Sequence, residues 1–167
     1  QTSDAIISLD LASGEVNWIF QATVNDAWNY ACQFMIPLRC PAQQGPDFDF
    51  GAAPILVDNG NALIAGDKGG VVYSLNPGTG AVNWSHKIST GSKLGGVHWG
   101  MAVDSDKVYV AATDFEIDPA SGNLQNLIST ARPGIYALRL SDGEGLWETH
   151  PQWIYEGLET PLLYSAA

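Results

Sequence analysis

Short runs of hydrophobic residues, separated by turn-forming residues, recur along the chain. Residues 71–75 read as an alternating strand that runs into a turn. Residues 54–57 and 62–65 flank a second turn, and residues 99–103 and 107–111 flank a third. Such runs on either side of turns rich in Asn, Asp and Gly predict β-hairpins. Two hairpins in succession predict a four-stranded antiparallel meander, which is the blade of a β-propeller.

One eleven-residue motif occurs three times. It reads small–x–polar–x–x–(Ser, Thr or Asp)–Gly–x–x–x–Trp, and its tryptophans are 66 and 63 residues apart. The glycine supplies the left-handed backbone that a tight hairpin turn requires. An indole at a fixed place in each repeat is expected to pack between neighbouring repeats and to donate its N–H to backbone. The three copies are residues 8–18, 74–84 and 137–147, which end at Trp18, Trp84 and Trp147.

These patterns predict an all-β fold built as a segment of a β-propeller. Residues 1–22 read as the end of one blade, 52–88 and 99–150 as whole blades, and 151–167 as the start of the next. The first strand pattern is already present at Ile6. Two whole blades and two partial ones cannot close a ring, and an open arc would leave strand edges and blade faces in contact with water. We therefore expect the chain to be a piece of a longer protein whose partner is the remainder of its own propeller.

Composition supports this fold and excludes several classes of function. The chain has 18 acidic and 7 basic residues, a net charge of −11, which argues against binding to nucleic acid. No apolar run is long enough to span a bilayer. A hydrophobic content of 46% with six tryptophans excludes a disordered chain. Only 15% of residues are charged, while 18 glycines and 9 prolines supply many turns, as in an all-β protein.

The repeated motif resembles the tryptophan docking motif of the dehydrogenases that depend on pyrroloquinoline quinone (PQQ). Loop segments 20–30, 67–75 and 95–99 resemble stretches that surround the quinone in that family. The resemblance covers about residues 5–150, so it combines repeats with loops. Three further segments are similar to the polyvinyl-alcohol-dehydrogenase-like members, namely residues 31–32, 40–41 and 45–51.

This resemblance implies a propeller of about eight blades, at the top of the usual range. It implies PQQ with calcium as cofactors, with the calcium ligands upstream of this piece. The function it implies is that of an exported dehydrogenase, periplasmic or extracellular, which oxidises secondary or polymeric alcohols and passes electrons to an acceptor. The alternative is a non-catalytic propeller that serves as an extracellular scaffold or binding module, since a fold does not determine a function.

Lys68, His98 and Trp99 are the candidate cofactor-binding residues. Lys68 follows a strand and precedes two glycines, so its ammonium can reach from a turn toward a buried ligand. The resemblance implies that Lys68 donates to the quinone oxygens, where a cation stabilises the developing charge. Its alternative interpretation is a solvent-facing turn lysine. His98 could donate to the quinone or shuttle a proton, or it could be a hydrogen-bonded core residue.

Asn29 is where the sequence departs from the pattern that the resemblance implies. The alcohol dehydrogenases carry an aspartate at this position, which removes the proton of the substrate hydroxyl, and an amide cannot act as that base. Nearby candidates for a replacement base are Asp26, Asp47 and Asp49, of which Asp49 is preferred because it lies just before an innermost strand. The alternative for all three is that they stabilise turns.

Cys32 and Cys40 are the only cysteines and frame one polar loop. They lack the spacing of a zinc site. A disulfide between them is expected in an oxidising compartment, whereas two free thiols would be the cytosolic alternative.

Overall fold

The computed structural model describes residues 2–33, 39–114, 116–117, 124–125 and 132–150. These residues form short strands, a single-turn α-helix, α1, at Tyr30–Gln33, and a short 3-10 helix at Asp58–Gly60. No helix among them has the length and apolar character needed to cross a bilayer. The strands are β1 (Ala5–Leu9), β2 (Val16–Gln21), β3 (Ile55–Val57), β4 (Ala62–Gly66), β5 (Val71–Leu75), β6 (Val82–Lys87), β7 (Met101–Val103), β8 (Lys107–Ala112), β9 (Glu116–Ile117), β10 (Leu124–Gln125), β11 (Gly134–Arg139) and β12 (Gly145–Thr149).

The strands form antiparallel meanders, which confirms the predicted all-β fold. Strands β3, β4, β5 and β6 make one four-stranded sheet, and β7, β8, β11 and β12 make a second. Strands β1 and β2 pair as a hairpin before them, and β9 pairs with β10 inside the connection from β8 to β11. Each four-stranded sheet is one blade. The predicted start of a further blade, at residues 151–167, lies outside the described residues.

The three copies of the motif adopt one turn conformation. The glycines have φ values of 73°, 72° and 75°, and in each copy the glycine N–H donates to the carbonyl oxygen four residues earlier. A shift in strand register also occurs at the same point before each turn. The repeated glycine is therefore required by the backbone conformation. These glycines are Gly14, Gly80 and Gly143.

Each of the first two motif tryptophans docks on the turn of the next blade. The indole N–H of Trp18 donates to the carbonyl oxygen of Pro77 at 2.8 Å, and that of Trp84 donates to Leu140 at 2.8 Å. The indole also covers the turn glycine, because a Cβ atom on Gly143 would lie 2.5 Å from Trp84 Cε3. The indole contacts with the following blade are those that the sequence predicts.

Alternating side chains of the middle blade fill the space on both of its faces. Ile64 and Val72 belong to the core shared with the sheet of β7, β8, β11 and β12, and both are fully buried. Their neighbours Ala65 and Leu75 pack toward the first hairpin, with Ile6. Because successive side chains of a strand point to opposite faces, the middle blade packs against the β1–β2 hairpin on one face and against the sheet of β7, β8, β11 and β12 on the other.

Trp84→Phe tests the docking contact. We expect it to lower the free energy of unfolding by about 1 kcal/mol, because the carbonyl of Leu140 loses its donor while most of the ring contact is kept. Trp18→Phe removes the equivalent bond to Pro77 and should behave alike. Urea denaturation of the intact protein measures both, and an unchanged midpoint for the two variants would contradict the assigned role.

Candidate functional site

The antiparallel connections place the candidate catalytic and cofactor-binding residues at one end of the blades. The turn between β4 and β5 lies at that end, together with the loops that lead into β3 and β7. The tryptophan docking turns, which follow β1, β5 and β11, lie at the opposite end. Loop residues separated by many positions in sequence are therefore brought together around Lys68, and we call this end the lysine end.

Lys68 is buried, with 7% of its surface exposed. Its Nζ atom lies 3.0 Å from Asp47 Oδ2 and 2.6 Å from Asp49 Oδ2. Its backbone is held as well, since the Lys68 N–H donates to the Asp49 carbonyl oxygen at 2.9 Å. The alternative of a solvent-facing lysine is therefore wrong for this structure, and Asp49 is brought into direct contact with Lys68.

The turn that carries Lys68 is packed backbone to backbone against the loop before β7. Gly96 has a φ of 68°, and a Cβ atom on it would lie 2.1 Å from the Lys68 carbonyl oxygen. A Cβ atom on Gly91 would lie 2.6 Å from Cα of Gly69. Only glycine allows this approach, so the glycines in this loop fix where the backbone of Lys68 lies.

Four aspartates gather near this ammonium. Asp47 is 5% exposed, whereas the side chain of Asp49 is half exposed, at 52%. Asp26 is fully buried, and its carboxylate accepts a hydrogen bond from the Phe48 N–H at 2.9 Å. Asp4, which precedes β1, is 8% exposed, and its carboxyl group forms a hydrogen bond with that of Asp49.

Burial and the lysine act in opposite directions on these carboxyl groups. Burial raises the pKa of Asp47 to about 6, although the hydrogen bond from Lys68 lowers it. Burial also raises the pKa of Asp49, but hydrogen bonds from Asp4 and Lys68 outweigh burial and hold it below its ordinary value. For Lys68, burial lowers the pKa, and the bonds to Asp49 and Asp47 more than compensate. At neutral pH, Asp49 is therefore an anion beside a fixed cation.

His98 and Trp99 lie side by side at the entry to β7. Their rings stack with centroids 4.6 Å apart, and Trp99 is 53% exposed. His98 Nδ1 is buried and has no hydrogen-bond partner among the described residues. Burial lowers the pKa of His98, and the nearby Lys68 ammonium lowers it further, so the imidazole is neutral at pH 7.

Asn29 lies in the loop between β2 and β3 and is occupied with local hydrogen bonds. Its Oδ1 atom accepts from the Ala31 N–H at 2.9 Å, and its Nδ2 donates to the Arg39 carbonyl oxygen at 3.0 Å. The same loop contains the predicted Cys32–Cys40 disulfide, which the structure confirms, with an S–S distance of 2.06 Å. The Asn29 amide therefore organises the disulfide loop.

Lys93, which lies in the loop before β7, is directed away from Lys68. Its Nζ atom lies 4.8 Å from the ring centroid of Trp28, a cation–π contact that joins the loops before β3 and β7. Lys68 is thus the cation that the described residues place beside Asp47 and Asp49.

Asp4 is the residue of this cluster that the sequence motifs do not indicate. It lies 45 positions before Asp49 and outside every motif of the loops. Its φ of 52° places it in the left-handed region, which aspartate tolerates better than most residues. The one sequence signal is an aspartate directly before a strand, which by itself is typical of an ordinary turn.

Comparison with known proteins identifies the family. The PQQ_2 family model, described as outer membrane protein assembly factor BamB, matches residues 1–130 and 68–162. The chain belongs to the PQQ_2 family. This agrees with the docking motif and the quinoprotein-type propeller blades described above.

Curated relatives of this PQQ_2 chain carry a dehydrogenase name. A polyvinylalcohol dehydrogenase of Pseudomonas sp is 38% identical over 149 residues, which is 87% of this chain and 21% of that protein. A polyvinylalcohol dehydrogenase of Sphingopyxis sp. (strain 113P3) is 34% identical over 151 residues, covering 87% of this chain and 22% of that protein. The chain thus spans about a fifth of the length of these relatives.

A solved structure agrees with the fold. A europium-containing methanol dehydrogenase superimposes with a TM-score of 0.55 over 92% of this chain and 24% of its own, at 15% identity. At this level of identity the likeness supports the propeller architecture alone.

Three residues at the lysine end offer groups that a flat quinone could contact. Lys68 has three N–H donors, of which Asp47 and Asp49 take two. The buried Nδ1 atom of His98 lacks a partner, and the exposed Trp99 ring offers a flat surface. Among the described residues, no group of three or more His, Cys, Asp or Glu side chains is arranged to hold a metal ion.

Proposed function

We propose that this PQQ_2 chain is part of a PQQ-dependent dehydrogenase that oxidises secondary or polymeric alcohols. The observation that carries the proposal is the pairing of a buried Lys68 ammonium with the half-exposed Asp49 carboxylate, 2.6 Å apart. A fixed cation beside an accessible base is what oxidation of a hydroxyl group requires. The relatives named polyvinylalcohol dehydrogenase support the same reaction class.

Bound PQQ would supply a two-electron oxidant. Lys68 would hold it through the remaining N–H of its ammonium, and His98 and Trp99 would lie beside it. The ammonium remains charged, since its bonds to Asp49 and Asp47 keep the pKa of Lys68 above its ordinary value in spite of burial. A permanent charge of this kind stabilises negative charge that develops on a neighbouring oxygen. The proposal includes calcium as a second cofactor, with ligands outside the described residues.

Asp49 would accept the proton of the substrate hydroxyl. Its side chain is half exposed, whereas that of Asp47 is almost fully buried, so a substrate can approach Asp49 alone of the two. Asn29 is not this base, because an amide does not take up a proton at neutral pH and its atoms bond to Ala31 and Arg39.

We further propose that the protein functions in the periplasm or outside the cell. The Cys32–Cys40 disulfide supports this location, because such bonds persist in oxidising compartments. Electrons from the alcohol would then pass to an acceptor in that compartment.

A non-catalytic propeller is the second candidate function. Two observations favour it: Asn29 stands where the resemblance implies a catalytic aspartate, and Lys68 already has two carboxylate partners. In that case the ion pairs would hold the loops together, and the lysine end would serve as a binding surface or have no ligand.

The absorption spectrum and activity of the intact protein distinguish the two functions. Titration with PQQ in the presence of calcium should give a saturable spectral change, followed by dye-linked oxidation of a secondary alcohol and of polyvinyl alcohol. Saturable binding of PQQ without dye reduction would favour the non-catalytic propeller. Absence of both would overturn the dehydrogenase proposal.

A further inference from the structure

Asp4 lies at the lysine end but belongs to the first hairpin, which is part of a neighbouring blade. It precedes β1, and its carbonyl oxygen accepts a hydrogen bond from the Ala22 N–H at 3.1 Å, just after β2. Its side chain is more than nine-tenths buried and reaches Asp49, whose loop leads into β3. The first hairpin therefore contributes a carboxyl group to a site otherwise built by later loops.

The hydrogen bond between Asp4 and Asp49 requires a proton. Two carboxylates repel each other, so one member of a hydrogen-bonded pair must be protonated and act as the donor. Asp49 also bonds to Lys68, which favours its anionic form, whereas the Asp4 Oδ2 atom is buried without a partner among the described residues. The proton therefore resides on Asp4, and the Asp4 O–H donates to the Asp49 carboxylate.

The groups around Asp4 favour the same assignment. Three negatively charged side chains of the loop between β2 and β3 face Asp4, namely Asp26, Asp49 and Asp47. The cation of this cluster, Lys68, is bonded to Asp47 and Asp49. Burial, followed by the hydrogen bond to Asp49 and these charges, raises the pKa of Asp4 to about 8. Asp4 is thus a neutral donor at neutral pH and becomes a repelling anion above it.

We propose that Asp4 is a positioning residue for Asp49, whose donated hydrogen bond keeps that carboxylate ionised and oriented with its open side toward a substrate hydroxyl. This inference rests on the proposed function. In the proton step, the alcohol O–H bond breaks and an O–H bond forms on Asp49. The electron pair of the alcohol C–H bond leaves, with its hydrogen, to the quinone-class oxidant of the proposed function.

Asp4→Asn is the informative variant. Asparagine tolerates the φ of 52° and its amide can donate to Asp49, but it does not titrate. In the intact protein loaded with PQQ and calcium, the wild-type kcat should fall above pH 8, as Asp4 ionises. Asp4→Asn should retain kcat within about threefold at pH 7 and lose this alkaline decline. Asp4→Ala, which has no donor, should lower kcat at least tenfold at pH 7.

A second readout does not depend on activity. The native protein holds the Asp4 proton up to about pH 8, whereas the unfolded chain releases it near its ordinary pKa of 3.8. Stability is therefore lost as the pH rises from about 4, and the loss is complete once the pH has passed 8. Between pH 7 and 9, the urea midpoint of the wild type should decrease, and that of Asp4→Asn should stay constant. Asp47, with a pKa of about 6, contributes little in this range.

The outcomes separate this inference from the proposed function. One outcome is that the wild type oxidises alcohols, but Asp4→Asn shows the same alkaline decline of kcat and the same pH dependence of the urea midpoint as the wild type. That outcome would overturn the role of Asp4 and leave the proposed function standing. Absence of alcohol oxidation in the wild type would overturn the proposed function and, with it, the catalytic purpose of the Asp4 contact.

Discussion

Lys68→Met is expected to destabilise the protein by about 3 kcal/mol and to abolish most of the proposed alcohol oxidation. The methionine fills a similar volume but leaves Asp47, which is 5% exposed, without its cation at 3.0 Å. Removing one partner of a buried ion pair costs about 3–5 kcal/mol, and the lower value applies here because Asp47 can take up a proton. Urea denaturation of the intact protein at pH 7.5 measures this loss. It should shrink at pH 5, where the neutral form of Asp47 is already favoured.

A double variant separates stability from chemistry. Lys68→Met with Asp47→Asn removes the unpaired charge, so it should recover about half of the lost stability. Dye-linked alcohol oxidation should nevertheless stay on the order of a hundredfold below the wild type, since the cation that stabilises developing charge is absent. Lys107→Met is the matched control. Lys107 also pairs with two aspartates, Asp104 and Asp106, but it lies in the blade of β7, β8, β11 and β12, at the end opposite to the lysine end.

Recovery of activity in the double variant would contradict the catalytic role of Lys68. Its ammonium would then act only as the counter-ion of Asp47, and the non-catalytic propeller would become the better account of the lysine end. Wild-type stability of the single variant would instead contradict the burial of the ion pair.

Gly96→Ala is expected to have the second large effect, a loss on the order of 4 kcal/mol. Left-handed backbone at an alanine costs about 1–2 kcal/mol, and φ at Gly96 is 68°. The larger part arises because the new Cβ atom would lie 2.1 Å from the Lys68 carbonyl oxygen, which is backbone and cannot rotate away. The turn that carries Lys68 must therefore shift, and the ammonium with it.

Gly60→Ala is a suitable control for this prediction. Gly60 also has a positive φ, of 91°, but its nearest neighbour would be a side-chain carbon of Leu56 at 3.8 Å. We expect it to cost only the backbone strain, about 1–2 kcal/mol. Equal urea midpoints for the two variants would show that the close approach to Lys68 contributes nothing. Unchanged alcohol oxidation in a folded Gly96→Ala protein would show that the position of Lys68 tolerates displacement.

The blades were predictable because their determinants are local in sequence. Each motif spans eleven residues, which include the end of a strand, the turn glycine and the tryptophan. The same arrangement recurs in all three copies. The docking partners of Trp18 and Trp84 follow from this repetition, since each indole meets the equivalent turn in the next copy. Here the periodic pattern carries three-dimensional information.

The environment of Lys68 could be predicted only in part. Lys68 and Asp49 are recognisable as candidates in the sequence, but their ion pairs depend on a loop of more than thirty residues that returns to the β4–β5 turn. The protonated Asp4 depends on the packing of a different blade and on a left-handed residue. Contacts of this kind are set by tertiary structure, because nothing in the local sequence of Asp4 specifies its partner.

The opposite placement of docking turns and lysine end bears on how such proteins diversify. Trp18 and Trp84 join successive blades at the end remote from Lys68. An insertion in the loop before β3 or in the connection from β8 to β11 would therefore leave the tryptophan contacts intact. Natural selection can thus remodel the reactive end by lengthening or exchanging loops, while the order of the blades is inherited unchanged.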